Sequence, residues 1–106
     1  MKLYKGSRGP AGCEVLVVDG GEPQPLHHVL RHSPDGFEWG YHGSGPADLA
    51  LSLLGDASGD EDLAERYYQA FKREIVSELP GEWWTLEAAY VVTWLLEARR
   101  RAAAAR

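Results

Sequence analysis

The chain has 106 residues, 44% of them apolar, and a net charge of −5, which suits one domain with a self-sufficient core. Its single cysteine, Cys13, excludes an internal disulfide and fits a reducing compartment. No apolar run approaches the roughly 18 residues of a membrane span, and the opening MKLYKGSRG has no apolar signal core, so the expectation is a soluble cytoplasmic protein.

Leu3 and Tyr4 read as a short first strand, and Gly6 to Gly12, with three glycines and Pro10, as a loop. Glu14 to Val18 is rich in β-branched residues and reads as a second strand. Asp19-Gly20-Gly21 supplies a hairpin turn. The prolines at 23 and 25 confine any following strand to a sheet edge. Ser33-Pro34-Asp35-Gly36 is a turn. After it, Phe37, Trp39 and Tyr41 alternate with Glu38 and Gly40, which predicts a third strand with its aromatics on one face.

Gly43-Ser44-Gly45-Pro46 predicts a helix start, with Ser44 or Gly45 as N-cap and proline in the first turn. The helix runs to about Leu54 and is apolar nearly all round, hence central. Asp60, or Ser58 with Glu61, caps a second helix through about Leu79. Its apolar stripe is Leu63, Tyr67, Ala70, Phe71, Ile75 and Leu79. Thr85 is the expected cap of a third helix through about Arg101, buried along Ala88, Val91, Val92, Leu95, Leu96 and Ala98. The predicted fold is α+β: a small antiparallel sheet of about three strands packed on three helices. Residues 1–43 are mainly β, 44–101 mainly α, and 102–106 a tail, all in one domain. Trp39, Leu51, Phe71 and Leu95 sit at the centres of the apolar faces and are expected in the core.

HSPDGFEWGYHGSGPADLALSLL, followed by RYYQAFKREIVSELP and a tryptophan-containing helix, resembles a bacterial and phage family, domain of unknown function family 6166. The likeness runs from Tyr4 to about Leu96, and GFEWGY…GSGP is its most specific block. It implies a short protein of chromosomal, phage or mobile-element settings, and it brings no activity, cofactor or catalytic residue. His42 stands where the family pattern has a small residue.

The residues offer few chemical sites. His27, His28 and His32 cluster, but Pro25 and Pro34 bracket them and no cysteine pair or glutamate-rich segment completes a metal set, so neither metal nor cofactor is expected. Gly43, Ser44 and Gly45 precede a helix and form an anion-binding candidate. The competing explanation is a turn needing glycine for positive φ. Cys13 and Ser44 lack the base and orienter that a nucleophile needs. The aromatic stripe has acidic rather than basic neighbours, which argues against nucleic acid.

Charge is uneven, with an acidic middle third and a basic tail. Asp60, Glu61 and Asp62 lie where a helix dipole favours carboxylates, and they also form a candidate face for a basic protein partner. Tyr90 and Trp94 fall four residues apart on the polar arc of the third helix and are candidate interface anchors, for a homodimer or a foreign partner. The first expectation is therefore a non-enzymatic protein-interaction domain, such as a phage or mobile-element inhibitor of a host defence nuclease. The alternatives are an anion- or nucleic-acid-binding domain using the 43–46 turn, and a small histidine-dependent enzyme.

Overall fold

The computed structural model describes residues 1–105. Its four strands are β1 (Leu3–Gly9), β2 (Gly12–Val18), β3 (Gln24–Pro25) and β4 (Trp83–Glu87). They form one antiparallel sheet in the order β3-β2-β1-β4. The helices are α1 (Ser44–Ser58), α2 (Glu61–Glu74) and α3 (Ala88–Ala104), with a 3-10 turn at Val76–Glu78. The α+β architecture with three helices matches the expectation, but the strands lie partly elsewhere.

The Gly6–Gly12 segment is not a loop. β1 and β2 form a hairpin whose last pair is Gly9 with Gly12, so only Pro10 and Ala11 make the turn. Gly6 lies inside β1 because a Cβ there would come within 2.2 Å of the Trp84 ring. Its lack of a side chain is what lets β4 bury a tryptophan against it. The two-residue β3 holds one sheet edge, where Pro25 costs no ladder hydrogen bond.

Phe37, Trp39 and Tyr41 do not form a strand. Positive φ values at Gly36 (105°) and Gly40 (84°) turn the chain at both ends of the segment. Trp39 is buried, Phe37 half-buried and Tyr41 exposed, so the three rings do not share a face. The backbone is anchored instead by Gly40 N–H donating to the Val76 carbonyl (3.0 Å) and Trp39 Nε1–H donating to the Gly81 carbonyl (3.2 Å).

The third main strand comes from the half of the sequence expected to be mainly helical, at the lead-in and first turn of the expected third helix. β4 pairs with β1 along Leu3–Glu87 to Ser7–Trp83. Thr85 is thus a strand residue, and α3 begins only after the N-cap Glu87. The other helix ends also shift. α1 continues past Gly55 to Ser58 and closes on Gly59 at φ 68°, a left-handed cap suited to glycine. α2 stops at Glu74, and the chain is extended at Leu79, as the residue before Pro80 requires. Asp60 is the α2 N-cap, its carboxylate accepting from Leu63 N–H at 3.0 Å.

α1 is the central element, packed against both α2 and α3 and buried from Gly45 to Leu54. Trp39, Leu51, Phe71 and Leu95 are all in the core. α3 is rotated from the expected arc: Val91 and Leu95 are buried, whereas Leu96 is exposed. Among the described residues, no helix is long and apolar enough to cross a membrane.

Candidate functional site

The most constrained polar group is Asp48, on α1 and wholly buried. Its Oδ2 accepts from His28 Nε2 (2.8 Å), Ser33 N–H (3.0 Å) and Arg31 N–H (3.2 Å), while Oδ1 accepts from His32 N–H (2.9 Å). Burial pushes its pKa up, but the hydrogen bonds from His28 and from the Ser33, Arg31 and His32 amides outweigh that and hold it below the usual carboxylate value. One turn along α1, Ser52 Oγ accepts from Val29 N–H at 2.9 Å. Together these two side chains supply the hydrogen bonds that a non-helical, non-sheet 28–33 segment needs. The carboxylate is saturated by this bracing, which gives it a structural role.

The histidines do not converge. His28 lies against Asp48 and the Phe37 ring (centroids 4.5 Å apart), His32 Nε2 meets the Tyr68 hydroxyl at 2.8 Å, and His27 and His42 are exposed. Among the described residues no group of three or more His, Cys, Asp or Glu is placed to hold a metal ion.

The glycine turn has a different reason from the one expected. Gly43 is extended (φ 171°), and neither Gly43 nor Gly45 lies in the left-handed region. A Cβ on Gly43 would lie 2.7 Å from the Tyr41 ring, and one on Gly45 would lie 2.7 Å from Glu38 Cβ and 3.2 Å from Glu38 N. These glycines permit close approach of the 37–41 segment to the start of α1. Ser44 is exposed and makes no capping bond; Gly43 is the N-cap.

Several carboxylates of the acidic region are engaged. Asp60 caps α2, Asp56 pairs with Lys2 (2.7 Å) and accepts from the Tyr4 hydroxyl (2.6 Å), and Glu65 pairs with Arg31 (2.9 Å). Asp60 and Asp62 line a shallow depression that also contains Arg66 and Arg99, so cations already border the proposed acidic face. Glu61 lies beside Arg31 and Glu65 in a separate small cavity. The aromatic pair divides. Trp94 packs edge-on against Phe71 (4.9 Å) and donates to Glu74 (3.2 Å), whereas Tyr90 is 47% exposed.

A surface that the sequence reading missed lies at the other end of the sheet. Trp84 and Leu86 face inward, while Trp83, Thr85 and Glu87 point to the outer face with Leu3 and Lys5 of β1. Trp83 is 70% exposed. Arg8 N–H donates to the Glu82 carbonyl and Ala88 N–H to the Lys2 carbonyl. Antiparallel alternation from these bonds turns the even-numbered groups of residues 82–88 toward β1. The N–H and C=O groups of Trp83 and Thr85 therefore face the free edge, where no hydrogen bond to another described residue meets them.

Two shallow grooves flank this edge. One, of about 500 Å³, follows residues 79–85. The other, of about 400 Å³, lies between Met1, Leu3, Thr85, Glu87 and Tyr90. The sequence held a usable signal: Trp83-Trp84-Thr85 is a β-favouring run, obscured by a threonine placed well for a helix cap.

A family of unknown function (DUF6166) matches residues 4–97. The chain belongs to this family. The match spans β1 through most of α3, so the DUF6166 fold unit includes both the Asp48 brace and the open β4 edge. No curated protein and no solved structure matches the chain.

Proposed function

We propose that this DUF6166 protein is a non-enzymatic protein-interaction domain that docks its partner on the β4 edge and the adjoining outer face of the sheet. The observation that carries this is Trp83, 70% exposed on an edge strand whose outward backbone groups are unpaired. Natural sheets usually blunt their edges. The β3 edge is short and proline-bearing, while β4 has five residues, no proline and one exposed tryptophan. Strand addition uses just such main-chain groups for affinity and neighbouring side-chain pockets for specificity, and tryptophan is a favoured interface anchor. The two grooves, one at Trp83 and one at Tyr90, supply those pockets. Inhibition of a host defence nuclease, one role considered for an interaction domain of this kind, would be one use of such a surface.

The test compares the wild type with Trp83→Lys. Proteins retained from a lysate of the source organism are purified and their affinity measured by calorimetry. The variant should keep its melting temperature and lose at least tenfold in affinity. Equal binding by both proteins would refute the assignment of the surface.

A further inference from the structure

The β4 edge is complementary to itself, and we infer that its occupant is a second copy of this chain, joined by antiparallel β4–β4 pairing about a two-fold axis at Thr85. This inference rests on the reading of the β4 edge as the docking surface.

The register follows from which groups face outward. Thr85 carries its N–H and C=O toward the free edge, so two copies exchange both bonds at Thr85. Trp83 then stands opposite Glu87 of the partner copy, twice. Both side chains lie on the outer sheet face, so each Trp83 enters the groove bordered by the other copy's Leu3, Thr85, Glu87 and Tyr90. The exposed ring and the groove are thus the two halves of one contact, a self-complementarity that an isologous interface demands. At the centre, threonine faces threonine, a favourable cross-strand pair.

In this register neither Glu87 faces the Glu87 of the other copy, despite the net −5. The two Glu87 side chains lie four strand positions apart, roughly 13 Å at strand spacing, which exceeds the screening length of about 8–10 Å in ordinary buffers. The two tryptophans, the grooves they fill and the paired strands together bury on the order of 1,000 Å², the lower end of specific interfaces. The dimer should therefore be reversible, dissociating in the micromolar range, as modest interfaces do.

The experiment is sedimentation of the whole chain from 5 μM to 1 mM in about 0.15 M salt, with Trp83→Lys and Thr85→Pro alongside. The wild type should shift from monomer toward dimer mass, and both variants should remain monomeric across the range. The Thr85 N–H does not serve the β1 ladder, so proline spares that bond, and Trp83→Lys is a surface change that covers the case of Thr85→Pro failing to fold. Register is read separately in a Cys13→Ser background. Thr85→Cys should crosslink two copies under oxidising glutathione, because a paired Cα separation of about 5.5 Å suits a disulfide. Ser7→Cys, on the same face but on β1, should not crosslink. A wild type monomeric at 1 mM overturns the second copy while leaving the edge free for a foreign strand. A wild-type dimer that neither variant disturbs overturns both the second copy at this edge and the docking surface itself. A dimer lost in the variants but crosslinking equally at positions 7 and 85 overturns the two-fold register.

Discussion

Replacing Asp48 by asparagine isolates the electrostatic role of the α1 brace, because size and shape are conserved. The asparagine keeps one acceptor oxygen. In its better orientation that oxygen takes the Oδ2 position, serving His28, Arg31 and Ser33, and the NH₂ then faces the His32 N–H. One charge-assisted bond becomes a donor–donor clash and three become neutral. Hydrogen bonds to a charged group contribute about 1.5–3 kcal/mol and neutral ones about 0.5–1.5. With partial relaxation of the 28–33 segment, the net cost is about 2–4 kcal/mol. That is a large fraction of the roughly 5–15 kcal/mol expected for a domain, and it corresponds to a fall in Tm of roughly 10–25 °C.

Urea unfolding at pH 7 gives the energy, and amide exchange should show lost protection at Arg31, His32 and Ser33. The effect also has a pH signature. Because the folded-state pKa of Asp48 is depressed, its contribution is fully present above the unfolded value of about 3.9. It is lost as pH falls through the lower folded value. The gap between wild type and Asp48→Asn should therefore close in acid. An asparagine variant within about 0.5 kcal/mol of wild type at pH 7, the range of ordinary surface substitutions, with these amides still protected, would refute the brace.

Three further outcomes follow from the packing. Gly6→Ala places a methyl 2.2 Å from the Trp84 ring and should cost about 1–3 kcal/mol or more by denaturant unfolding; a neutral result would mean that β4 does not press on β1 there. Trp39→Phe should be more costly than Trp84→Phe by about 1 kcal/mol, because the Trp39 indole N–H is hydrogen-bonded to Gly81 whereas that of Trp84 is buried without a partner among the described residues; the reverse order in melting experiments would count against this. Leu51→Ala, in the buried face of α1, should cost about 2–5 kcal/mol, and a loss below 1 kcal/mol would remove Leu51 from the core.

The sequence by itself determined what depends on local chemistry. A glycine-proline start and a continuous apolar run produced α1. Asp60 and a 3.6-residue stripe produced α2, and Glu14–Val18, rich in β-branched residues, formed the last five residues of β2. Trp39, Leu51, Phe71 and Leu95 were assignable to the core because burial follows from position on an apolar face. Tertiary structure decided everything that depends on a neighbour. Gly6 is a strand residue because Trp84 occupies the space above it. The 37–41 segment is irregular because glycines in the left-handed region turn it and Val76 and Gly81 supply its bonds. Asp48, unremarkable in the sequence, becomes a buried hub because the chain from His28 to Ser33 happens to need donors satisfied at that point on α1. Trp94 is absorbed by Phe71, and Thr85 is drawn from a helix cap into a strand because β1 has an open side. That last choice, between two conformations that the local sequence allows almost equally, also places Trp83 on the outer face and leaves the β4 edge unpaired, so the candidate docking site exists only in the assembled sheet.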